Sequence, residues 1–368
     1  MTAPRLDIDL DAVAHNARSL VDRLTPRGIR VTGVSKAALG SANVAAAMLR
    51  GGVDGIGDSR LENLGRLREA KIPLPLTLIR SPMLSQVDRV VRDADLSLNT
   101  ESVVLDALSV AAVRWGTVHA VVLMVELGDL REGVAVDELV DLAGSVARSP
   151  GLRLAGVGTN LACRSGVVPD QKKMDELSRL VEQVEARVGH RLTIVTGGNS
   201  ANLDWALSTD DVGRIDDLRL GESILLGTEP LHRQPIEGLL TNAFTLVAEV
   251  IEVKTKAAQS WGETAQSAFG HRSGGGRPGV VRQAIAALGR QDVDPDGLSP
   301  PSGMAVLDAS SDHLVIDLGD HALTVGDEIA FQLDYSALLR AMTSPFVSKD
   351  ELGTPAAGPD VQRMSDIA

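Results

Sequence analysis

Short apolar runs alternate with stretches of helical periodicity along the first part of the chain. Apolar residues in 10–24 (LDAVAHNARSLVDRL) recur at helical spacing. The runs at 31–34, 53–56, 74–79, 96–98, 118–125, 152–157, 192–195 and 215–220 read as strands. Amphipathic stretches at 41–50, 60–70, 101–114, 136–148 and 170–188 separate them as helices. Eight strands alternating with helices predict a (β/α)8 TIM barrel over residues 1–235. The competing arrangement is an open doubly wound sheet. No strand, however, is followed by the GxGxxG or GxxxxGK[ST] turn of nucleotide-binding open sheets.

The pattern changes near 236. Residues 243–254, 281–288, 304–308, 312–318 and 328–333 are β-rich and partly alternating, with turn signals between them. They predict a smaller C-terminal all-β domain over 236–349. The glycine-rich stretch 273–279 reads as a connector, because no helix follows it to offer an N-terminus to a phosphate. Residues 350–368 read as a disordered tail.

Composition narrows the class. The 368 residues carry 36 Lys plus Arg against 49 Asp plus Glu, a net charge of −13. That balance argues against a nucleic-acid partner or an anionic membrane, which are bound through fields of Lys and Arg. Hydrophobic residues at 44% and charged residues at 23% fit a soluble globular protein. A single cysteine, Cys163, excludes an internal disulfide or a cysteine-built zinc cage. No basic-then-apolar leader and no long apolar run is present, so a cytoplasmic protein without a membrane partner is expected.

The ends of barrel strands carry chemistry in this fold. Lys36 follows the first predicted strand directly, where a lysine enters the mouth of the barrel and is partly desolvated. Such a lysine can form a Schiff base, although a surface ion pair is the simpler role for a lone lysine. Two glycine-bearing turns, Gly197-Gly198-Asn199-Ser200 and Leu220-Gly221-Glu222-Ser223, follow the last two predicted strands, the common phosphate position of the fold. A lysine for an aldehyde and a phosphate cradle together point to pyridoxal 5′-phosphate (PLP).

These residues resemble the fold-type III PLP enzymes, with alanine racemase as the familiar member and ornithine racemase as the most similar branch. The resemblance is carried by Gly33-Val34-Ser35-Lys36, by 125–133 (VELGDLREG), by Thr196-Gly197-Gly198-Asn199-Ser200 and by Leu218-Arg219-Leu220-Gly221-Glu222-Ser223. In the β domain it is carried by Ala268-Phe269-Gly270, Gly289-Arg290-Gln291-Asp292, Ser310-Ser311-Asp312-His313 and Val325-Gly326-Asp327-Glu328. It implies an amino-acid racemase with Lys36 as Schiff-base lysine. The resemblance further implies that Arg131 would lie near the cofactor phenolate or the substrate carboxylate, Asn199, Ser200, Gly221 and Glu222 at the phosphate, and Arg219 at the pyridine nitrogen. An arginine there stays protonated, so the ring nitrogen stays neutral and the ring is a weaker electron sink. No metal is implied.

The chain departs from the family at one position. Racemisation needs an acid/base on each face of the reacting carbon. Alanine racemases use a β-domain tyrosine of the partner subunit, and Phe269 stands at that position. The only tyrosine, Tyr335, lies far along the chain. His313 and Asp292 are the main candidates for the second acid/base, with His271 and Asp312 behind them, although Asp292 also reads as a turn acid. Arg131 with Asp129, Ser311 and Asp312 would suit the carboxylate and distal ammonium of ornithine or another basic amino acid. Cys163 reads as a small packed residue. Two further functions stay open: a PLP-binding protein without catalysis, and a D-amino-acid lyase or aldolase. A homodimer with shared active sites is expected, because the barrel mouth needs a cover.

Overall fold

The structure, a computed structural model, describes residues 3–266, 269 and 279–354. It divides into two units. One holds Leu10–Lys36 and Gly40–Leu220, the other the segment up to Asp9, Ala37–Leu39 and Gly221–Glu351.

The chain opens with β1 (Arg5–Asp9) and α1 (Leu10–Leu24). The first unit continues through β2 (Arg30–Val34), α2 (Ala42–Arg50), β3 (Gly55–Asp58), α3 (Leu61–Glu69), β4 (Leu76–Leu78) and α4 (Val87–Asp93). Next come β5 (Leu96–Asn99), α5 (Ser102–Arg114), β6 (His119–Met124), α6 (Leu139–Arg148) and β7 (Leu152–Gly158). The unit ends with α7 (Gln171–Val188), β8 (Ile194–Asn199), α8 (Leu203–Ser208) and β9 (Asp217–Leu220). Strands β2 to β9 are parallel and close in sequence order, β9 returning to pair with β2. The barrel predicted from the alternation is present, and each predicted run overlaps one of these strands, although some, those at 53–56 and 192–195 among them, begin two residues early.

Burial explains the pattern. Every residue of β6 is buried, as expected of a parallel strand covered on both faces. Helix α1 buries Leu10, Val13, Ala17, Leu20 and Leu24 at helical spacing, each fully buried leucine contributing roughly 1.5–3 kcal/mol. Helix α7 starts where the Asp170 carboxylate accepts from Lys173 N at 2.9 Å. The β7–β8 seam is unusually tight. A methyl on Gly158 would lie 2.2 Å from Thr196 Cγ2, and one on Gly156 2.1 Å from Ile194 O.

The second unit contains α9 (Glu222–Leu226), β10 (Phe244–Ala257), β11 (Val280–Ala286), β12 (Leu298–Ser299), β13 (Ala305–Ala309), β14 (Leu314–Asp317), β15 (Glu328–Leu333), α10 (Tyr335–Thr343) and β16 (Ser348–Leu352). Its antiparallel sheet runs β12-β15-β10-β11-β14-β13, with β1 pairing both β10 and β16. The smaller β domain expected from the sequence is present as this sheet, and the same unit also carries the helices α9 and α10. Helix α10 is capped by the Asp334 carboxylate on Ala337 N and buries Ala337, Leu338, Ala341 and Met342.

The boundaries also differ from the expected 1–235 and 236–349. β1 leaves the barrel because Leu6 and Ile8 are buried in register with Leu246 and Phe244 of β10. Asp350 to Leu352, expected in the tail, end β16. Residues 273–278 of the expected connector and 355–368 of the expected tail lie outside the described residues. Among the described residues, no helix is long and apolar enough to cross a membrane.

Candidate active site

Lys36 sits two residues past the end of β2, half-buried. The residue before it is held firmly. Ser35 N donates to Gly57 O at 3.0 Å and Ser35 Oγ to Asp58 Oδ2 at 2.8 Å. Asp58, at the end of β3, is fully buried and also accepts from Arg60 N and Asn63 Nδ2, each at 2.9 Å. Burial pushes its carboxyl above the ordinary value, and the donors around it, Arg60 N foremost, only partly offset that.

Arg219, in β9, is 6% exposed. Its guanidinium reaches across β8 and β7, donating to Thr196 Oγ1, to Thr159 O at 2.8 Å and, at the long limit, to Asn160 Oδ1 at 3.4 Å. Burial pulls it below its ordinary value, and Asp217 opposes that. Arginine nevertheless stays charged at neutral pH. Asn160 Nδ2 is buried without a hydrogen-bond partner. An orphaned donor beside a buried cation marks a position for a group that carries acceptors.

The turn after β8 is built by two asparagines. The Asn199 side chain accepts from Ala201 N at 2.8 Å, and Asn202 Oδ1 accepts from Asn199 N at 3.1 Å. Gly198 has φ +147°, and a methyl there would lie 2.0 Å from Asn202 Oδ1, so glycine is required. Ser200 follows and is buried. Gly221 and Glu222 come directly after β9 in the chain, with Gly221 as the N-cap of α9.

Arg131 lies on the segment after β6, paired with Glu132 at 2.7 Å. Burial works against its charge, but Glu132 and Cys163 outweigh that and leave it above its ordinary value. Asp129 is 1% exposed, and its carboxylate accepts from Arg164 N at 3.1 Å and Ser165 N at 3.0 Å. It ties two loops together, a positioning role rather than the substrate contact expected of it.

Cys163 corrects another expectation. It is exposed, not packed, and Asn199 Nδ2 lies 3.4 Å from its Sγ. The preceding Ala162 has φ +69°, which turns the chain outward. The polar run Arg164-Ser165-Gly166 after it was the available signal.

In the second unit, Asp292 is 5% exposed, with its carboxylate accepting from Gly289 N at 3.1 Å and Ser344 Oγ at 3.0 Å. It is a turn acid and not a free acid/base. His313 is exposed, and its Nδ1 shares a 2.8 Å hydrogen bond with Asp312 Oδ1. Asp312 is held below its ordinary value by His313. Ser311 Oγ lies 3.3 Å from the same oxygen. Phe269 is exposed, with the Arg290 guanidinium 5.2 Å from its ring centre. His271 lies outside the described residues.

Residues 8–230 match the family described as alanine racemase, N-terminal domain. The chain belongs to that family. A lysine racemase of Thermotoga maritima is 37% identical over 95% of this chain and 98% of its own length. An ornithine racemase of Acetoanaerobium sticklandii is 33% identical over 95% and 99%. The crystal structure of alanine racemase from the D-cycloserine-producing Streptomyces lavendulae superposes with a TM-score of 0.75, covering 96% of this chain and 98% of that one at 21% identity, which establishes a shared fold. The family expectation drawn from Lys36, Arg219 and the turn after β8 is met.

Proposed function

We propose that this protein is a PLP-dependent amino-acid racemase, with ornithine, lysine or another basic amino acid as substrate. The observation that carries the reading is one barrel holding Lys36 at the end of β2 and a buried Arg219 anchored to β7 and β8. Full-length similarity to a lysine and an ornithine racemase supports the substrate class.

The residues fit the cofactor. Lys36 supplies the amine for its aldehyde, Arg219 supplies donors toward its ring nitrogen, and the orphaned Asn160 Nδ2 lies beside that guanidinium. Asn199, Ser200, Gly221 and Glu222 are proposed to hold its phosphate. When bound, PLP makes the hydrogen at the amino acid Cα acidic by withdrawing electrons from that carbon. The Lys36 amine removes or returns that proton on one face. Arg131 orients the substrate carboxylate through its planar fork, with Glu132 fixing the guanidinium. Ser311 and Asp312 are proposed to meet the distal ammonium, and a homodimer to be the working assembly.

The test incubates pure protein with single L-amino acids and PLP, followed by chiral analysis, while borohydride reduction and peptide mapping locate the pyridoxyl group. D-ornithine or D-lysine as product and a label on Lys36 are expected. A coloured protein that inverts nothing would instead be a cofactor-holding protein. Loss of amino acid to a carbonyl fragment would reveal a lyase. A protein that never takes up PLP would refute the reading entirely.

A further inference from the structure

The racemase reading gives Arg131 the substrate carboxylate, and Arg131 stands on a loop. That loop is closed at its base, where Glu126 N donates to Val134 O at 3.0 Å and Val134 N to Met124 O at 2.7 Å. A methyl on Gly133 would come within 2.6 Å of Glu126 N, so the base is also tightly packed. Glu132, which pairs with Arg131, is the next residue and moves with it, so that pair cannot tie the guanidinium to the barrel. Leu130, just before Arg131, has φ +56° and is 63% exposed. A left-handed leucine brings its Cβ against the following carbonyl oxygen. An exposed side chain gains little packing to offset that, so the backbone must be held from elsewhere.

The holding groups lie on both sides of the turn. Leu130 N donates to Glu126 Oε1 at 3.0 Å, within the same loop. Leu130 O accepts from the Arg164 guanidinium, on the segment after β7. Asp129 is 1% exposed, and its Oδ1 accepts from Arg164 N at 3.1 Å and Ser165 N at 3.0 Å. Its backbone C=O accepts from Ser165 Oγ at 2.7 Å. Three contacts of Asp129 and one of Leu130 thus join the two loops. The second loop bends to meet them through a left-handed residue of its own, Ala162 at φ +69°. Hydrogen bonds from backbone N–H groups to a buried carboxylate are strong and directional, which suits a clasp.

We propose that Asp129 is a positioning residue that sets the affinity of the site for the substrate carboxylate. It clasps the strained turn at Leu130 to the segment after β7, and so holds the Arg131 guanidinium where the carboxylate binds. The proposal rests on the racemase reading and deepens it. Asp129 touches neither substrate nor cofactor and carries no proton between them. Its loss therefore weakens binding of the carboxylate and spares proton transfer at Cα.

The experiment measures kcat and KM for L-ornithine and L-lysine in PLP-loaded wild type, Asp129→Ala, Asp129→Asn and the double variant Asp129→Ala/Leu130→Gly. Asp129→Ala should raise KM by about tenfold or more and keep kcat within about threefold, the signature of lost binding without lost transition-state contact. Asp129→Asn keeps one oxygen for the two N–H groups, and its KM should rise by about threefold or more but less than in Asp129→Ala. Glycine enters the left-handed region freely, so adding Leu130→Gly should recover about threefold of the lost affinity. Two inhibitors separate the carboxylate from the rest of the substrate. Inhibition by 5-aminopentanoate, ornithine without its α-amine, should weaken in Asp129→Ala as much as KM rises. Inhibition by 1,4-diaminobutane, ornithine without its carboxylate, should change by less than about twofold. Amide hydrogen exchange of the cofactor-free chains should quicken over 126–134 and 161–168 in Asp129→Ala and stay as in wild type elsewhere in the barrel. A smaller rise in KM, a fall in kcat at constant KM, equal weakening of both inhibitors or no recovery in the double variant would each overturn the proposal. Should exchange quicken throughout Asp129→Ala, Asp129→Asn decides, through its own rise in KM and the same split between inhibitors. A wild type that turns over neither amino acid would refute the racemase reading itself, and this proposal with it.

Discussion

His119 gives the barrel a pH-dependent stability that can be measured. It opens β6, is 3% exposed, and its Nε2 shares a 2.8 Å hydrogen bond with Ser97 Oγ. Asn99 Nδ2 donates to Ser97 O at 2.8 Å and approaches its Oγ at 3.0 Å, so the group is closed off by polar neighbours rather than water. Burial pushes the imidazole from 6.5 down to about 4, with Asp95 pulling weakly the other way. Between those values the unfolded chain binds a proton that the folded one does not, so stability rises with pH across the window. At roughly 1.4 kcal/mol per pH unit, the displacement amounts to about 3 kcal/mol. The perturbation is His119→Gln, whose amide can still bond Ser97 but cannot titrate in this range. Urea unfolding of both proteins, followed by circular dichroism from about pH 4 to 7.5, isolates the histidine as a difference. Wild type should gain about 3 kcal/mol on the variant between pH 4 and 6.5 and nothing further above it. A difference constant to within about 0.5 kcal/mol, or one that shrinks as pH rises, would refute the reasoning.

Asp58→Ala should leave the Ser35 hydroxyl, the Asn63 amide and Arg60 N–H without their acceptor, lowering stability by about 2 kcal/mol or more. A denaturation midpoint close to that of wild type would contradict it. Arg219→Lys keeps the charge but loses the planar fork that spans Thr159 and Thr196, costing about 1–2 kcal/mol and at least tenfold in racemase kcat. Turnover within twofold of wild type would show that the fork is not needed.

The barrel was legible because each of its strands is a short apolar run bounded by helical periodicity, and both signals are local. The strand ends were legible for the same reason, which is why Lys36, Ser200 and Arg219 could be placed before any contact was known. Pairings between distant segments were not. Nothing in Arg5–Asp9 says that it leaves the barrel, since that depends on registration against β10 more than two hundred residues later. Partners of polar side chains were hidden in the same way. Asp129 read as a substrate contact and Asp292 as either a proton carrier or a turn acid, and backbone N–H groups occupy both carboxylates. The reading of Cys163 as packed failed because a small apolar-looking residue carries no periodicity of its own. Its exposure follows from the turn at Ala162.

The crowding between β7 and β8 bears on how this site can change over generations. Thr196 lies against the empty position of Gly158 and at the same time accepts from Arg219. One added carbon at Gly158 therefore displaces a side chain that touches the buried guanidinium, without itself facing any ligand. Random substitution at this wall is filtered out before it can alter what the site accepts. Variation is left to the other rim, the loops after β6 and β7, where Leu130 and Val168 are exposed. Drift in amino-acid preference among descendants of this chain should accordingly accumulate on that side of the mouth, while the glycine wall stays nearly invariant.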